Sequence, residues 1–433
     1  MTPSARLSAA TEVFADIEAR RRPAVDALKD WGLAHRFAGS GDRAAIAGLV
    51  YDALRRKSSS AWLMGEATPR AVLIGMLRRE RGADLAAIEA LCSGARYAPE
   101  PLTEMERSAL AGEALANAPA HVTGDYPEWL DPYLARVFGD ERSDEGAALS
   151  SRAPLDLRVN TLAAERDDVL AALAHLKAEA ARWSPVGLRI RLGADAKSPA
   201  IHAEPVFLKG QIEIQDEGSQ LAALLAGAKP GEQVIDLCAG AGGKTLALAA
   251  AMENRGQLYA TDTDKRRLAP IHERLARSGA RNVQVRTPKS VGDTLADLAG
   301  RIDLVLIDAP CSGTGTWRRN PDAKWRIRPG ALAERIKEQD AVLERAAALS
   351  KPGGRIAYIT CSVLAEENGD RVSAFTGRHP DFSVEKPGAV INTLGERAYL
   401  FSRAVLISEH GFQMTPRRTD TDGFFLSLLR RSS

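Results

Sequence analysis

The sequence has few cysteines, few aromatic residues and no long apolar run. Its four cysteines, Cys92, Cys238, Cys311 and Cys361, could form two bridges in a secreted protein. However, two of them follow predicted strands of a single domain, and no signal peptide precedes them. No stretch approaches the roughly 18 apolar residues that a membrane helix needs. We therefore expect reduced thiols, a cytoplasmic location and no membrane segment.

The sequence also lacks a strong charge of either sign and any metal-binding spacing. Its 58 basic and 56 acidic residues leave a formal charge of +2, a balance that by itself predicts no polyanion binding. The seven histidines are not clustered and no CxxC pair occurs, so we expect no metal. A chain of 433 residues with 45% hydrophobic content can bury a sizeable core and should form two or three domains.

The spacing of apolar residues divides the chain into three predicted regions. Residues 1–145 repeat apolar positions at three and four, as in Ala44 to Leu54 and Ala71 to Leu77, which indicates an all-α helical bundle. Residues 146–205 mix short strands and helices, which we interpret as a small α+β connector with turns at 184–187 and 193–199. In residues 206–433 strands and helices alternate, which predicts a doubly wound α/β sheet of Rossmann-like type.

Seven strands and four helices are predicted in the last region. The strands are Gln233–Leu237, Gln257–Thr261, Val283–Arg286, Leu304–Ile307, Arg355–Ile359, Ala404–Ile407 and Gly423–Leu428. The helices are Gly242–Met252, Lys265–Ser278, Gly330–Leu349 and Glu366–Thr376. Because the carboxyl ends of parallel strands share one edge of a sheet, we expect the chemistry at that edge.

A glycine-rich loop, DLCAGAGGKT at 236–245, follows the first of these strands. It is not a Walker A loop, because Cys238 stands where the first glycine is needed, and its glycines are wrongly spaced for GxGxxG. Asp262 ends the next strand and could accept both ribose hydroxyls of a nucleoside cofactor. The pattern favours S-adenosylmethionine over a pyrophosphate nucleotide; the alternative is a tight turn with an acid at a helix N-terminus.

Two cysteines about fifty residues apart each follow an apolar strand. Cys311 lies in DAPCSGTG and Cys361 in YITCSV. A thiol that ends a strand beside a cofactor loop is well placed for nucleophilic attack. The pair therefore predicts an enzyme that makes and then breaks a covalent bond to its substrate.

A basic segment, WRRNPDAKWRIR at 317–328, follows the first of these cysteines. It interleaves Trp317 and Trp325 with five basic residues, Arg318, Arg319, Lys324, Arg326 and Arg328. Aromatic rings among guanidinium groups suit an unpaired nucleic acid strand. The alternative is a solvated loop whose tryptophans cap the core.

Residues 154–433 resemble the Sun/RsmB-type RNA cytosine-C5 methyltransferases. The similar elements are DLCAGAGGKT, ATDTD, LIDAPCSGTGTWRRNPDAKWR, KPGGRIAYITCSVLAEEN, DGFF, PLDLRVNTL and GQIEIQDEGSQ. GDRAAIAGLVYDALRR is similar to the NusB-like RNA-binding bundle of some members. The resemblance implies a class I methyltransferase fold, S-adenosylmethionine as cofactor, and RNA as partner, with small-subunit (16S) ribosomal RNA favoured. We expect a monomer.

The resemblance also assigns roles to residues. Cys361 is the attacking thiol at cytosine carbon 6, and Cys311 assists release after methylation. Asp308 hydrogen-bonds the N3 and amino edge of the base, and Lys244 orients Asp308 or the base. The cofactor site comprises Cys238, Ala239, Gly240, Ala241, Gly242, Gly243, Lys244, Asp262 and Asp308.

The sequence departs from the family pattern after the third strand. Members carry an acid there that can contact adenine, but this chain reads VQVRTPKSVGD. Asp293 lies a few residues late, and Thr287 and Lys289 fall near the expected place. The adenine contact is therefore left unassigned.

Several other functions compete with this one. A DNA cytosine-C5 methyltransferase would use the cysteine of the PC motif as nucleophile and would not need Cys361. A tRNA cytosine-C5 methyltransferase and a noncatalytic RNA-binding ribosome assembly factor are further alternatives, although the intact Cys311, Cys361, Asp308 and Lys244 argue against a noncatalytic protein.

Overall fold

The computed structural model describes residues 1–112, 115–193, 199–289 and 292–433. In this part of the chain the residues group into two compact units. The helical unit comprises 1–152 together with 317–328, and the α/β unit comprises 153–193, 199–316 and 329–433. The basic segment 317–328 thus belongs to the helical unit, although it follows Cys311 in sequence.

The helical unit is built from amphipathic helices with well-defined N-caps. Thr2, Thr68, Asp84 and Thr103 each accept a backbone amide of the first turn, which satisfies a donor that the helix cannot. Fully buried side chains such as Phe14 form its core. The α-helices are Pro3–Arg20, Ala24–Ala34, Ser40–Arg55, Lys57–Met64, Pro69–Arg79, Leu85–Leu91, Glu104–Ala111, Ala120–Thr123, Asp131–Phe138, Arg142–Leu149 and Ala323–Arg326.

A four-stranded antiparallel sheet opens the α/β unit, in the order β2-β3-β1-β4. Its strands are β1 (Leu155–Val159), β2 (Glu179–Ala180), β3 (Gly187–Ile190) and β4 (Ile212–Ile214). Strand β4 lies beyond the predicted connector boundary at 205. The α-helices here are Arg166–Ala172 and Pro205–Leu208. Most of the predicted turn at 193–199 lies outside the described residues.

A larger sheet of nine described strands follows. Its strands are β5 (Gln233–Asp236), β6 (Gln257–Ala260), β7 (Val283–Val285), β8 (Ile302–Asp308), β9 (Ser350–Thr360), β10 (Phe382–Val384), β11 (Leu406–Ser408), β12 (Gly411–Met414) and β13 (Phe424–Arg431). Neighbours along β7-β6-β5-β8-β9 are parallel, and β13, β12, β11 and β10 add antiparallel pairs. This confirms the predicted Rossmann-like α/β sheet after a helical region.

Helices cover the faces of this sheet. Their bounds are Glu217–Leu225, Gly243–Ala251, Lys265–Leu268, Ile271–Ser278, Pro329–Leu349, Gly369–Arg378, Pro387–Asn392, Ala398–Ala404 and Pro416–Thr419. The predicted single helix Lys265–Ser278 is wrong in one respect, because Pro270 lacks the amide hydrogen that a helix interior requires and two helices form instead. No helix of the described residues has the length and apolar character to cross a membrane.

Candidate active site

The glycine-rich loop joins β5 to the helix Gly243–Ala251 at the carboxyl edge of the sheet. Gly242 has a φ of +87°, and a Cβ at this position would lie 2.6 Å from Ile271 Cγ1, so only glycine fits. The Gly240 amide donates a hydrogen bond to Asp262 Oδ2 at 3.0 Å. The loop is therefore tightly turned and tied to the end of β6.

A cavity of about 260 Å³ lies beside this loop. Of the predicted cofactor residues, the lining includes Cys238, Ala239, Gly240, Ala241, Gly243, Lys244 and Asp308. Asp262 and Gly242 are outside this lining. The Asp262 carboxylate accepts the amides of Gly240 and Asp264, and each carboxylate oxygen can accept a second hydrogen bond.

Asp236 also lines the cavity, although the sequence motifs did not identify it as a site residue. Its side chain is fully buried. Thr245 Oγ1 donates to Asp236 Oδ2 at 2.8 Å, while Oδ1 has no side-chain partner among the described residues. Burial raises the pKa of Asp236 to about 7, and the charge of Asp308 adds to this rise. The available signal was an acid ending a strand directly before a glycine-rich turn. Gln215, Arg267 and Arg274 line the cavity and were missed as well.

Lys244 and Asp308 form an ion pair at the cavity wall. Lys244 Nζ donates to Asp308 Oδ2 at 2.6 Å, and Lys244 is almost fully buried whereas Asp308 is a third exposed. Nζ also lies 5.0 Å from the centre of the Phe424 ring, which is within range of a cation–π interaction. The lysine therefore fixes a partly exposed carboxylate at the end of β8.

The two predicted catalytic cysteines are neighbours. Cys311 Sγ and Cys361 Sγ lie 3.3 Å apart, and both side chains are half-buried and free of disulfides. The nearby Cys361 sulfur, burial and the charge of Glu367 raise the pKa of Cys311 above its ordinary value. Cys311 is thus held as a neutral thiol beside Cys361.

Two glycines allow the loop after Cys311 to reach the loop after Cys361. The Gly315 amide donates to the Cys361 carbonyl at 2.9 Å, and the Gly423 amide donates to the Gly315 carbonyl at 2.8 Å. A Cβ on Gly315 would lie 2.1 Å from the Gly423 carbonyl oxygen. The SGTG and DGFF motifs therefore meet backbone to backbone beside the thiols.

The expectation that the basic segment contacts an unpaired nucleic acid strand is wrong for Trp317, Arg318 and Lys324. Their exposed fractions are 1%, 2% and 0%. Arg326 pairs with Asp322 at 3.0 Å, and Trp325 Nε1 donates to the Leu54 carbonyl at 2.7 Å. Acceptors within the helical unit thus take up the donors of Arg326 and Trp325, as polar groups withdrawn from water require.

Lys324 is fully buried, and its ammonium group makes three hydrogen bonds. Its Nζ donates to the carbonyls of Arg55 and Asp125 at 2.9 and 2.7 Å, and to Ser150 Oγ at 2.8 Å. Burial lowers the pKa of Lys324 to about 7. Its role in the structure is to join helices, not to attract phosphates.

Lys324→Met should therefore destabilise the helical unit. The substitution keeps the volume but removes the donor that three buried acceptors share, which should cost about 2 to 4 kcal/mol. Amide hydrogen exchange of peptides from 40–64 in the full chain would measure this loss of protection. The exposed Lys29, changed in the same way, should have little effect; equal exchange in both variants would contradict the assignment.

The remaining sequence candidates lie in ordinary structural roles. Cys92 is buried in the core of the helical unit. Asp293 pairs with Arg345 and accepts the Leu295 amide. It is not among the residues that line the cavity. Part of VQVRTPKSVGD, residues 290–291, lies outside the described residues. Within the described residues, no group of three or more His, Cys, Asp and Glu could hold a metal.

Known proteins resemble both the catalytic sheet and the region before it. The model of the family described as 16S rRNA methyltransferase RsmB/F matches residues 222–430, and that of the RsmF/B-like ferredoxin-like domain matches 126–196. The ribosomal RNA small subunit methyltransferase B of Sodalis glossinidius is 35% identical over 69% of this chain and 64% of its own length. The protein named "Probable ribosomal RNA small subunit methyltransferase B" in Synechocystis is 29% identical over 81% of this chain and 77% of its own.

A solved structure is also similar to this chain. The methyltransferase homolog protein from Pyrococcus horikoshii is 27% identical, has a TM-score of 0.58, and is matched over 72% of this chain and 97% of its own. This chain spans just under two thirds of the Sodalis relative's length. By its glycine-rich loop, its paired cysteines and these matches, the chain belongs to the RsmB/F family of 16S rRNA methyltransferases.

Proposed function

We propose that this protein methylates carbon 5 of a cytosine in RNA, through a covalent bond between Cys361 and carbon 6. The observation that carries the proposal is the 3.3 Å separation of the Cys311 and Cys361 sulfurs, at the same sheet edge as the cavity. One nucleophilic thiol would be enough to attack the base. A second thiol in contact with the first suits a reaction in which the attacking thiol must also be released from the product.

The residues of the cavity fit S-adenosylmethionine, the methyl donor of this family. The donor carries a sulfonium and an ammonium group, and both are positive. Asp236 and Asp308 supply carboxylates to the lining, and the Gly240 loop supplies backbone that can approach closely. When bound, the donor supplies an electrophilic methyl group. Asp262 is proposed to accept the ribose hydroxyls with its remaining lone pairs.

The proposed reaction uses Cys361 first as nucleophile and then as leaving group. Its thiolate forms a bond to carbon 6, and the displaced electron pair makes carbon 5 nucleophilic. Carbon 5 would then accept the electrophilic methyl group that a bound donor would supply, with cleavage of the donor's carbon–sulfur bond. Transfer of the carbon 5 proton to water restores the ring double bond and expels Cys361 as a thiolate. Cys311 assists this release.

Asp308 and Lys244 are proposed to recognise the cytosine. The partly exposed Asp308 carboxylate can accept a hydrogen bond from the exocyclic amino group at the edge of a flipped base. Lys244, 2.6 Å from Asp308, places positive charge where electron density moves toward N3 as the adduct forms. Uracil carries no amino group, so this pair would favour cytosine.

Small-subunit ribosomal RNA is the proposed substrate because the Sodalis and Synechocystis relatives are named for it. The test is methyl transfer by the full chain from labelled donor to unmodified 16S RNA, small subunits, tRNA and double-stranded DNA. Digestion followed by mass spectrometry should find 5-methylcytidine in the ribosomal samples. Label only in tRNA or DNA, in another nucleoside, or in nothing at all would overturn the proposal.

Cofactor affinity should depend on pH through Asp236. Asp308, Lys244 and Cys238 are the titratable groups that face it. With a pKa of about 7, the carboxyl is mostly neutral at pH 6 and mostly ionised at pH 7.5, and only the ionised form attracts a cation. Calorimetry should find binding of S-adenosylmethionine about eightfold tighter at pH 7.5 than at pH 6. Asp236→Asn should remove this difference; an unchanged slope would assign it to another group.

A further inference from the structure

Two adjacent buried residues, Glu367 and Asn368, contact the turns that carry the two cysteines. Both follow Cys361 closely in sequence and lie at the start of the helix Gly369–Arg378. Glu367 is 0% exposed and Asn368 is 3% exposed. Burying a carboxylate and an amide is unfavourable unless their hydrogen bonds are satisfied, so the partners of these side chains indicate their purpose.

Glu367 and Gln339 together hold the backbone on both sides of Cys311. Its Oε1 accepts the Ser312 amide at 2.7 Å, and its Oε2 accepts the Ser312 hydroxyl. Gln339 Nε2 donates both to Glu367 Oε1 at 3.1 Å and to the Pro310 carbonyl at 2.9 Å. The residues before and after Cys311 are thus joined through one carboxylate and one amide.

Asn368 does the same for Cys361. Its Nδ2 donates to the Ser362 carbonyl at 3.0 Å and to Gln413 Oε1 at 2.9 Å. Its Oδ1 accepts the Thr360 hydroxyl. Thr360 and Ser362 are the two neighbours of Cys361, so the turn at the end of β9 is fixed on both sides.

We infer that Glu367 and Asn368 are positioning residues with separate tasks, Glu367 placing Cys311 for release and Asn368 placing Cys361 for attack. The inference rests on the proposed function, since it divides the two halves of that reaction between them. Because the residues are adjacent, one rigid segment sets the relative position of both sulfurs. A displacement of about 1 Å in such a site can cost on the order of 100-fold in rate.

The test compares near-isosteric variants in the full chain. Glu367→Gln puts an NH2 group in place of one of the two carboxylate oxygens that accept hydrogen bonds from Ser312. RNA release should therefore slow by about tenfold or more, and a covalent protein–RNA complex should accumulate on denaturing gels. Asn368→Asp removes the donor to Ser362, so adduct formation and methylation should both fall by about tenfold or more. Cofactor affinity should stay within about twofold in both variants, because neither residue lines the cavity.

Matched variants separate positioning from a general loss of folding. Gln339→Leu, which frees Pro310, should behave like Glu367→Gln, and Glu344→Gln on the surface of the same helix should behave like the wild type. Parallel loss of activity in the Glu367 and Asn368 variants, with no change in the fraction of trapped complex, would overturn the inference. If the wild type transfers no methyl and Cys311→Ala traps no complex, the proposed function itself has failed.

Discussion

Replacing Cys361 with alanine is expected to lower methyl transfer by about 1,000-fold or more and to leave no covalent complex with RNA. The proposed chemistry cannot begin without a thiolate, because carbon 5 of cytosine is too weakly nucleophilic to take the methyl group directly. Initial rates with labelled donor would measure the first effect, and denaturing gels with labelled RNA would measure the second.

Cys311→Ala should give the opposite result on the gel. Cys361 remains able to attack, but it loses the thiol 3.3 Å away that assists its departure. Turnover should fall by about 100-fold or more, while a protein band shifted by bound RNA accumulates. The asymmetry between these two variants distinguishes this enzyme from a DNA-type enzyme that attacks with the PC-motif cysteine.

Cys92→Ala is the matched thiol control, because Cys92 is buried in the helical unit. It should leave both the rate and the gel pattern close to those of the wild type. A trapped complex in Cys361→Ala and none in Cys311→Ala would reverse the assigned roles. Identical behaviour of both variants would remove the case for two separate tasks.

Gly315→Ala is expected to be strongly damaging, although Gly315 is not one of the reacting groups. The added methyl would meet only backbone atoms of Gly423, at 2.1 to 2.7 Å, and backbone cannot move aside as a flexible side chain can. We expect a loss of about 3 kcal/mol in the free energy of unfolding and about a 100-fold loss of turnover, since the loop also bonds to the Cys361 carbonyl. Denaturant unfolding and methyl-transfer rates would measure these effects.

Gly330→Ala provides the contrast. A Cβ at Gly330 would meet nothing within 4 Å, and the residue lies in the first turn of Pro329–Leu349. This variant should be neutral or more stable by about 0.5 kcal/mol, because alanine restricts the unfolded chain. If Gly315→Ala proved equally harmless, the close contact of the two backbones would not be a real constraint.

Much of the fold was predictable because its patterns are local. Buried parallel strands read as short apolar runs, so β5 to β9 were recognised by continuous segments such as Leu304 to Ile307. Strand β12, Gly411–Met414, was missed because it is short and has no β-branched residue, although it is wholly buried. It is held by pairing with the neighbouring strand β13, and the periodicity of a four-residue segment does not report such pairing.

The site residues that lie in sequence motifs could be predicted. The site residues whose roles depend on tertiary contacts could not. The Cys311 and Cys361 motifs indicated that the two thiols would share one edge of the sheet. Asp236 escaped notice because its significance lies in its burial beside the cavity. Glu367 was missed for a similar reason, since its partners Ser312 and Gln339 are 55 and 28 residues away.

The basic segment shows the limit of reasoning from charge. Arginines and tryptophans in succession resemble an RNA-binding strip, but the same residues can satisfy buried acceptors and fill a core. Trp317 and Lys324 are buried in the helical unit and do not form such a strip. Only the long-range partners of Lys324, near residues 55, 125 and 150, distinguish the two outcomes.

The inclusion of 317–328 in the helical unit also determines the order in which the nascent chain can fold. Residues 1–152 leave the ribosome first, and N-terminal domains commonly fold during synthesis. Here the Arg55, Asp125 and Ser150 acceptors must wait for Lys324, which emerges only after strands β5 to β8 of the larger sheet have been synthesised. The helical unit is therefore completed late, and its final packing is coupled in time to the appearance of the loop that carries Cys311.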